Sequence, residues 1–154
     1  MIEAEIREHT GPRDELRELF ALAEDSPERL AASLGRGRVL VAVDGERVIG
    51  HVQLVDVPGG VELLTMAVAE DRQGEGVGRA LVEHAIAACR ADGVETLRVA
   101  TAAASTGNLR FYQRLGFRLL SVERDAFTAA DGYPPGIEIE GIPLCDRVWL
   151  TRTP

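Results

Sequence analysis

The sequence predicts one mixed α/β domain with a central, mostly antiparallel twisted sheet flanked by helices. Three observations lead there. Two β-branched runs, Arg38 to Val43 and Arg47 to Val57, are joined by Asp44-Gly45-Glu46, whose Asp-Gly pair favours a tight hairpin and so makes them antiparallel neighbours. A third run, Val61 to Ala69, precedes a helical-period segment, Arg79 to Ala91, and a further strand-like run, Glu95 to Thr101; a helix between two strands makes a crossover that aligns them parallel. The chain of 154 residues, 45% apolar and 27% charged, is of ordinary one-domain size and globular composition, so a single domain over residues 1–154 is expected.

The remaining elements follow in order. Ile2-Glu3-Ala4-Glu5-Ile6-Arg7 alternates apolar and polar like a first strand, and Asp14 to Ala23 sets Leu16, Leu19, Phe20 and Ala23 at helical spacing. Ser26-Pro27-Glu28-Arg29 reads as a cap followed by proline at the first helical position, giving a second helix to about Leu34 that Gly35 and Gly37 end. Pro58-Gly59-Gly60 separates the hairpin from the third run. Along Arg79 to Ala91 the residues Leu81, Val82, Ala85, Ile86 and Cys89 share one face, and Asp92-Gly93 closes the helix. Asn108 to Leu115 is a short helix stopped by Gly116, Phe117 to Glu123 is extended, and a polar loop with Pro134, Pro135 and Gly136 precedes a last strand near Leu144 to Leu150.

Composition narrows the function classes. No run of about 18 apolar residues is present, and the opening Met1-Ile2-Glu3-Ala4-Glu5 lacks the pattern of a signal peptide, so a cytoplasmic protein with no membrane partner is expected. Cys89 and Cys145 are far apart, and His9, His51 and His84 show no metal spacing; neither a disulfide framework nor a metal is expected. A net charge of −8 argues against a broad grip on nucleic acid or anionic lipid. It points instead to a cationic substrate that Asp125, Asp131, Glu138, Glu140 and Asp146 could select, or it is plain solubilising surface acid.

The turn Gln73-Gly74-Glu75-Gly76-Val77-Gly78 lies between a strand and a helix, the general arrangement for holding phosphate on backbone N–H groups at a helix start. No Gly-Lys-Ser/Thr follows, which excludes a P-loop. Gly76-Val77-Gly78-Arg79-Ala80-Leu81 puts Leu where a dinucleotide fingerprint needs its third small residue. What fits is Gln73-x-x-Gly76-x-Gly78, within Val68-Ala69-Glu70-Asp71-Arg72-Gln73-Gly74-Glu75-Gly76-Val77-Gly78-Arg79-Ala80-Leu81, followed one strand later by Asn108-Leu109-Arg110-Phe111-Tyr112-Gln113-Arg114-Leu115-Gly116-Phe117. The two blocks together resemble the GCN5-related N-acetyltransferase (GNAT) superfamily over about residues 2–124. Beyond them, Glu140-Gly141-Ile142-Pro143-Leu144-Cys145-Asp146 is similar to one branch of it, with no substrate attached.

The resemblance implies acetyl-coenzyme A as cosubstrate, no metal, and direct transfer to the amine of a small molecule or peptide; homodimers are common in the family. It also implies a splayed parallel strand pair. Backbone N–H groups of Gln73, Gly74, Glu75, Gly76, Val77, Gly78 and Arg79 would then cradle the pyrophosphate, Arg72 and Arg79 would add positive potential, and Met66, Ala67 and Val68 would pair with the pantetheine arm. Tyr112 stands where the family has its general acid, or is a buried structural tyrosine. Glu62 stands where many members carry a general base, or is an exposed strand glutamate. Asn108 is either a coenzyme contact or a helix cap. The alternative to an enzyme is a non-catalytic module that senses acyl-coenzyme A; the presence of Tyr112 favours the enzyme.

Overall fold

The computed structural model describes residues 4–154. Seven strands form one sheet in the order β1-β2-β3-β4-β5-β9-β6. They are β1 (Glu5–Glu8), β2 (Arg38–Asp44), β3 (Arg47–Val57), β4 (Gly60–Val68), β5 (Leu97–Ala102), β6 (Arg118–Glu123) and β9 (Arg147–Arg152); β7 (Glu138–Ile139) and β8 (Ile142–Pro143) make a separate small hairpin. Four helices accompany them: α1 (Arg17–Ala23), α2 (Pro27–Ser33), α3 (Val77–Ala91) and α4 (Thr106–Arg114). All sheet pairings are antiparallel except β4 with β5.

The strand period of two divides the core. On β2, Leu40 and Ala42 face α3 and pack with Leu81, Val82 and Ala85, whereas Val39, Val41 and Val43 face the other way onto Leu16, Phe20 and Leu34. A sheet covered on both faces explains why β2 and β3 read as near-continuous apolar runs. Helix ends follow their residues. Ser26 accepts the Arg29 N–H to cap α2, and its hydroxyl donates to the Asp131 carbonyl at 3.0 Å, tying that helix to the C-terminal loop. Gly93 closes α3 with Gly93 N–H to Arg90 O and Val94 N–H to Cys89 O.

Several boundaries differ from expectation. Ile2 and Glu3 of the expected first strand lie outside the described residues, and the strand runs from Glu5 to Glu8, one residue beyond Arg7. The first helix begins as a 3₁₀ turn, Arg13–Leu16, before α1. Helix α3 starts at Val77 rather than Arg79, because Gly76 takes a left-handed φ of 87° and turns the chain directly into it. Helix α4 starts at Thr106, two residues before Asn108. The last strand starts at Arg147, since the Leu144 N–H is engaged by Ile137 O in closing the β7–β8 hairpin.

Candidate active site

Two adjacent strands part company at the centre of the sheet. Only Val61 to Leu63 of β4 pair with β5, at Leu97 to Val99, while β4 itself runs on to Val68. Its later residues, including Met66, Ala67 and Val68, still pair with β3 but have no ladder on the β5 side. Beyond this splay lies a cleft of about 1090 Å³, lined by Met66, Ala67, Val68, the loop after β4 and the first turns of α3 and α4.

Helix α3 opens onto this cleft with no side-chain cap. Its first-turn N–H groups, at Val77, Gly78 and Arg79, cannot bond within the helix and are donors without acceptors. Gly74 and Gly76 have φ of 80° and 87°, so a side chain at either would be strained in the turn that exposes these donors. The Gln73 side chain donates to Val68 O at 3.1 Å and holds the loop to the end of β4. Arg72 lines the cleft but is neutralised by Asp44 at 2.7 Å and Glu75 at 3.1 Å; Arg79 pairs with Glu83 at 2.9 Å. Glu75 turns to Arg72 and does not line the cleft, unlike Gln73, Gly74, Gly76, Val77, Gly78 and Arg79. The positive potential at the loop therefore resides in N–H groups and the α3 dipole more than in free arginine charge.

Tyr112 is placed by the end of α4. Gly116 adopts a φ of 88°, the Phe117 N–H returns to Tyr112 O at 3.1 Å and the Gly116 N–H to Gln113 O at 3.0 Å. This double bond pattern makes the third-from-last helical residue meet the one after the glycine. The Tyr112 and Phe117 rings accordingly pack edge to face at 5.6 Å, with Phe111 against the other edge at 5.1 Å. The ring is buried, 5% exposed, but the hydroxyl bonds to no described residue and is not sealed off, since His51 Nδ1 is the one fully buried unpartnered side-chain polar atom among the described residues. Tyr112 lines the cleft, and burial pushes its phenol well above the ordinary value, so it keeps its proton at neutral pH.

Glu62 also lines the cleft and is 8% exposed, which corrects the picture of an exposed strand glutamate. Arg98, its register partner on β5, donates from Nε and Nη2 to the single oxygen Oε1 at 2.9 and 2.7 Å. The other oxygen makes no bond to the described residues. Arg98 in turn lies over the Trp149 ring at 4.8 Å. Asn108 is the third residue of α4, so capping does not account for it; its amide donates to Thr101 Oγ1 at 3.3 Å and it lines the cleft.

The far end of the cleft was not foreseen. Tyr133 donates to Glu24 at 2.6 Å, Arg147 lies over Phe127 at 4.8 Å and pairs with Glu123 at 3.1 Å, and these groups, with the bond from Ser26 at the start of α2 to Asp131 O, join α1, α2 and the C-terminal loop into one wall. Behind it, His51, Thr65 and Gln53 form a buried chain. Thr65 Oγ1 donates to Gln53 Oε1 at 2.8 Å and so accepts from His51 Nε2 at 2.9 Å, while Gln53 Nε2 donates to Ser33 O and Arg36 O at 2.6 and 2.9 Å. His51 stacks on Phe20 at 4.1 Å and, by burial, titrates at about 3. A signal existed: His51, Gln53 and Thr65 are polar residues at alternate positions of apolar strands. Of the acids expected to select a cationic substrate, Asp125, Asp131, Glu138, Glu140 and Asp146, none lines the cleft; Glu24, Asp25 and Glu62 do, beside Arg29, Arg36 and Arg147. Asp125, Cys145 and Asp146 cluster on the surface instead.

Comparison with known proteins agrees with this geometry. The model of the acetyltransferase (GNAT) family matches residues 3–117. A Bacillus subtilis protein named as an uncharacterised N-acetyltransferase, YvbK, is 34% identical over 147 residues, 95% of this chain and 92% of its own. A Bacillus subtilis acetyltransferase solved in complex with CoA superposes with a TM-score of 0.89 at 31% identity, covering 99% of each chain. An Elizabethkingia anophelis GNAT-family acetyltransferase with acetyl-CoA bound gives 0.88 at 30% identity, covering 98% of each.

Proposed function

The chain belongs to the GNAT acetyltransferase family, and from that membership we propose that it moves an acetyl group from acetyl-coenzyme A to an amine by direct attack. One observation carries the reading: the uncapped start of α3, the unladdered part of β4 and the free hydroxyl of Tyr112 all open into a single cleft. The residues suit the coenzyme. Bare N–H donors at a helix start accept a pyrophosphate, and an open strand edge accepts the amides of a pantetheine arm.

When bound, the coenzyme supplies a thioester whose acetyl group leaves its sulfur for the amine. The protein's own groups handle the protons. Tyr112 Oη delivers one to the departing sulfur, since a phenol carries its proton at neutral pH and this one lines the cleft. Glu62, through the oxygen that Arg98 leaves free, receives one from the incoming amine directly or through water. Arg98 thus orients the carboxylate and keeps it from rotating out of the cleft. Asn108 and Thr101 line the coenzyme's side of the cleft, whereas the wall of Glu24, Tyr133 and Arg147 bounds the acceptor's side. The test is thiol release from acetyl-coenzyme A across a panel of pooled small-molecule amines and peptides. Acceptor-dependent release supports the enzyme; tight coenzyme binding with no release on any pool supports a sensing module instead.

A further inference from the structure

We infer that Thr65 selects, among amines, those that carry a second hydrogen-bond donor a short carbon spacer away from the reacting nitrogen; the inference rests on the acetyl transfer proposed above. The protons around Thr65 are directed from outside the cleft. Ser33 O and Arg36 O can only accept, and Gln53 Nε2 donates to both. Gln53 Oε1 is thereby turned to Thr65, whose single hydroxyl proton goes to it. Thr65 Oγ1 must then accept from His51, so the imidazole carries its proton on Nε2 and leaves Nδ1 bare. Neither link can be reversed. Flipping the Gln53 amide would set its oxygen against two carbonyls at 2.6 and 2.9 Å, and moving the imidazole proton to Nδ1 would set two lone pairs face to face at 2.9 Å.

A hydroxyl has one proton and two lone pairs. With the proton given to Gln53 and one lone pair to His51, whatever Oγ1 offers the cleft that Thr65 lines is a lone pair. The strand sets a second acceptor beside it. Gln53 lies opposite Thr65 and Val55 opposite Glu62, with Leu64 the extra residue where the register shifts. Opposed residues share a face, as do residues two apart, so Thr65 and Glu62 stand on one face, roughly 7 Å apart along β4. Without the extra residue, positions three apart would point to opposite faces. Glu62 takes the proton of the reacting amine, and Thr65 takes a hydrogen bond from a hydroxyl, an amide N–H or a second ammonium. A methyl, an ether or a carboxylate in that place has no proton to give. The trio is not there to fill the core: apolar residues would bury no polar group, whereas this trio leaves His51 Nδ1 buried without a partner.

Three related amines test this: phenylethanolamine, phenylethylamine and the methyl ether of phenylethanolamine, whose ring suits a cleft lined by Leu22, Phe127 and Tyr133. Each is titrated by calorimetry into the full chain saturated with coenzyme A, and each is assayed for thiol release from acetyl-coenzyme A. The hydroxyl amine should bind, and react in kcat/KM, at least about tenfold better than the other two. Equal values for the three, or no binding and no reaction by any, would overturn the inference. The two readings separate here. Preferential binding without thiol release defeats the transfer and supports Thr65, while equal turnover of all three defeats Thr65 and leaves the transfer standing. Thr65→Ser should keep the preference and Thr65→Val should bring it to about one with coenzyme binding retained; a preference that survives in Thr65→Val would assign the hydroxyl to another group. Nitrogen NMR on the parent needs no variant at Thr65. His51, assigned by its loss in His51→Gln, should be protonated on Nε2, and that resonance should move further with phenylethanolamine than with phenylethylamine. A proton on Nδ1, or the same response to both amines, would overturn the proposal.

Discussion

The ring of Tyr112 belongs to the core and its hydroxyl to the cleft, which is why a single side chain read from sequence carried both a structural and a catalytic possibility. Phenylalanine separates the two, because it keeps the edge-to-face contacts with Phe111 and Phe117 and removes the proton. Tyr112→Phe is expected to lower kcat by roughly 10²–10⁴-fold with coenzyme binding and melting nearly unchanged; unaltered turnover on a good acceptor would assign the proton to water. His51 gives a second residue-level expectation. Its folded value of about 3 lies below the ordinary 6.5, so between those limits the unfolded chain binds a proton that the folded chain refuses. Its contribution is therefore fully present above about pH 6.5 and is lost as pH falls toward 3, by up to about 1.4 kcal/mol per pH unit. Urea midpoints for the parent and His51→Gln should diverge in slope over that window, and parallel slopes would show that the imidazole protonates within the fold. Because β3 is covered on both faces, periodicity alone does not say which of its residues on the α1–α2 face, His51 among them, reach the cleft.

At the scale of elements, glycine positions were the most legible feature. Gly76, Gly93 and Gly116 each fall at a helix end and each adopts a positive φ, so the residue type announces the conformation before any contact is known. The motif ending Leu115-Gly116-Phe117 is the clearest case, since the glycine turn is what brings Phe117 back onto Tyr112. Less legible were elements fixed by distant partners. Strand β9 inserts between β5 and β6, although β6 comes earlier in the chain, and the β7–β8 hairpin moved its start beyond Leu144. Capping rules would allow Asn108 to start a helix, but the chain had already turned helical at Thr106. The uncapped start of α3 carries the prediction at this scale. Gly76→Glu places a carboxylate where the donors converge and forces a side chain into a left-handed turn, so coenzyme binding by calorimetry should fall by at least about tenfold, equivalent to about 1.4 kcal/mol. A folded variant that binds as tightly as the parent would remove the phosphate-cradle assignment.

Charge shows what a whole-molecule quantity can and cannot reveal. The net −8 was legible from composition, but a sum has no address, and the acids expected to attract a cationic acceptor lie away from the cleft. Part of the charge on the cleft wall is paired, Glu62 with Arg98 at 2.7 Å, Arg147 with Glu123 at 3.1 Å and Arg29 with Asp131 at 4.0 Å, whereas Glu24, Asp25 and Arg36 line it without an ion-pair partner among the described residues. A close pair acts on its surroundings as a dipole, whose field falls off faster than that of a single charge, while the unpaired surface acids are screened beyond about 8–10 Å at physiological salt. The acid that lies away from the cleft is therefore expected to do little to steer an acceptor. The acceptor KM is expected to change by less than about twofold between about 0.05 and 0.5 M salt, measured with coenzyme saturating on the best acceptor of the panel. A KM that climbed steeply with salt would mean that a carboxylate of the cleft wall receives the acceptor, either Asp25, which has no ion-pair partner among the described residues, or Glu62 with its pair to Arg98 opened. Repeating the titration with Glu62→Gln and with Asp25→Asn would then identify the carboxylate, because the variant lacking it loses the salt dependence.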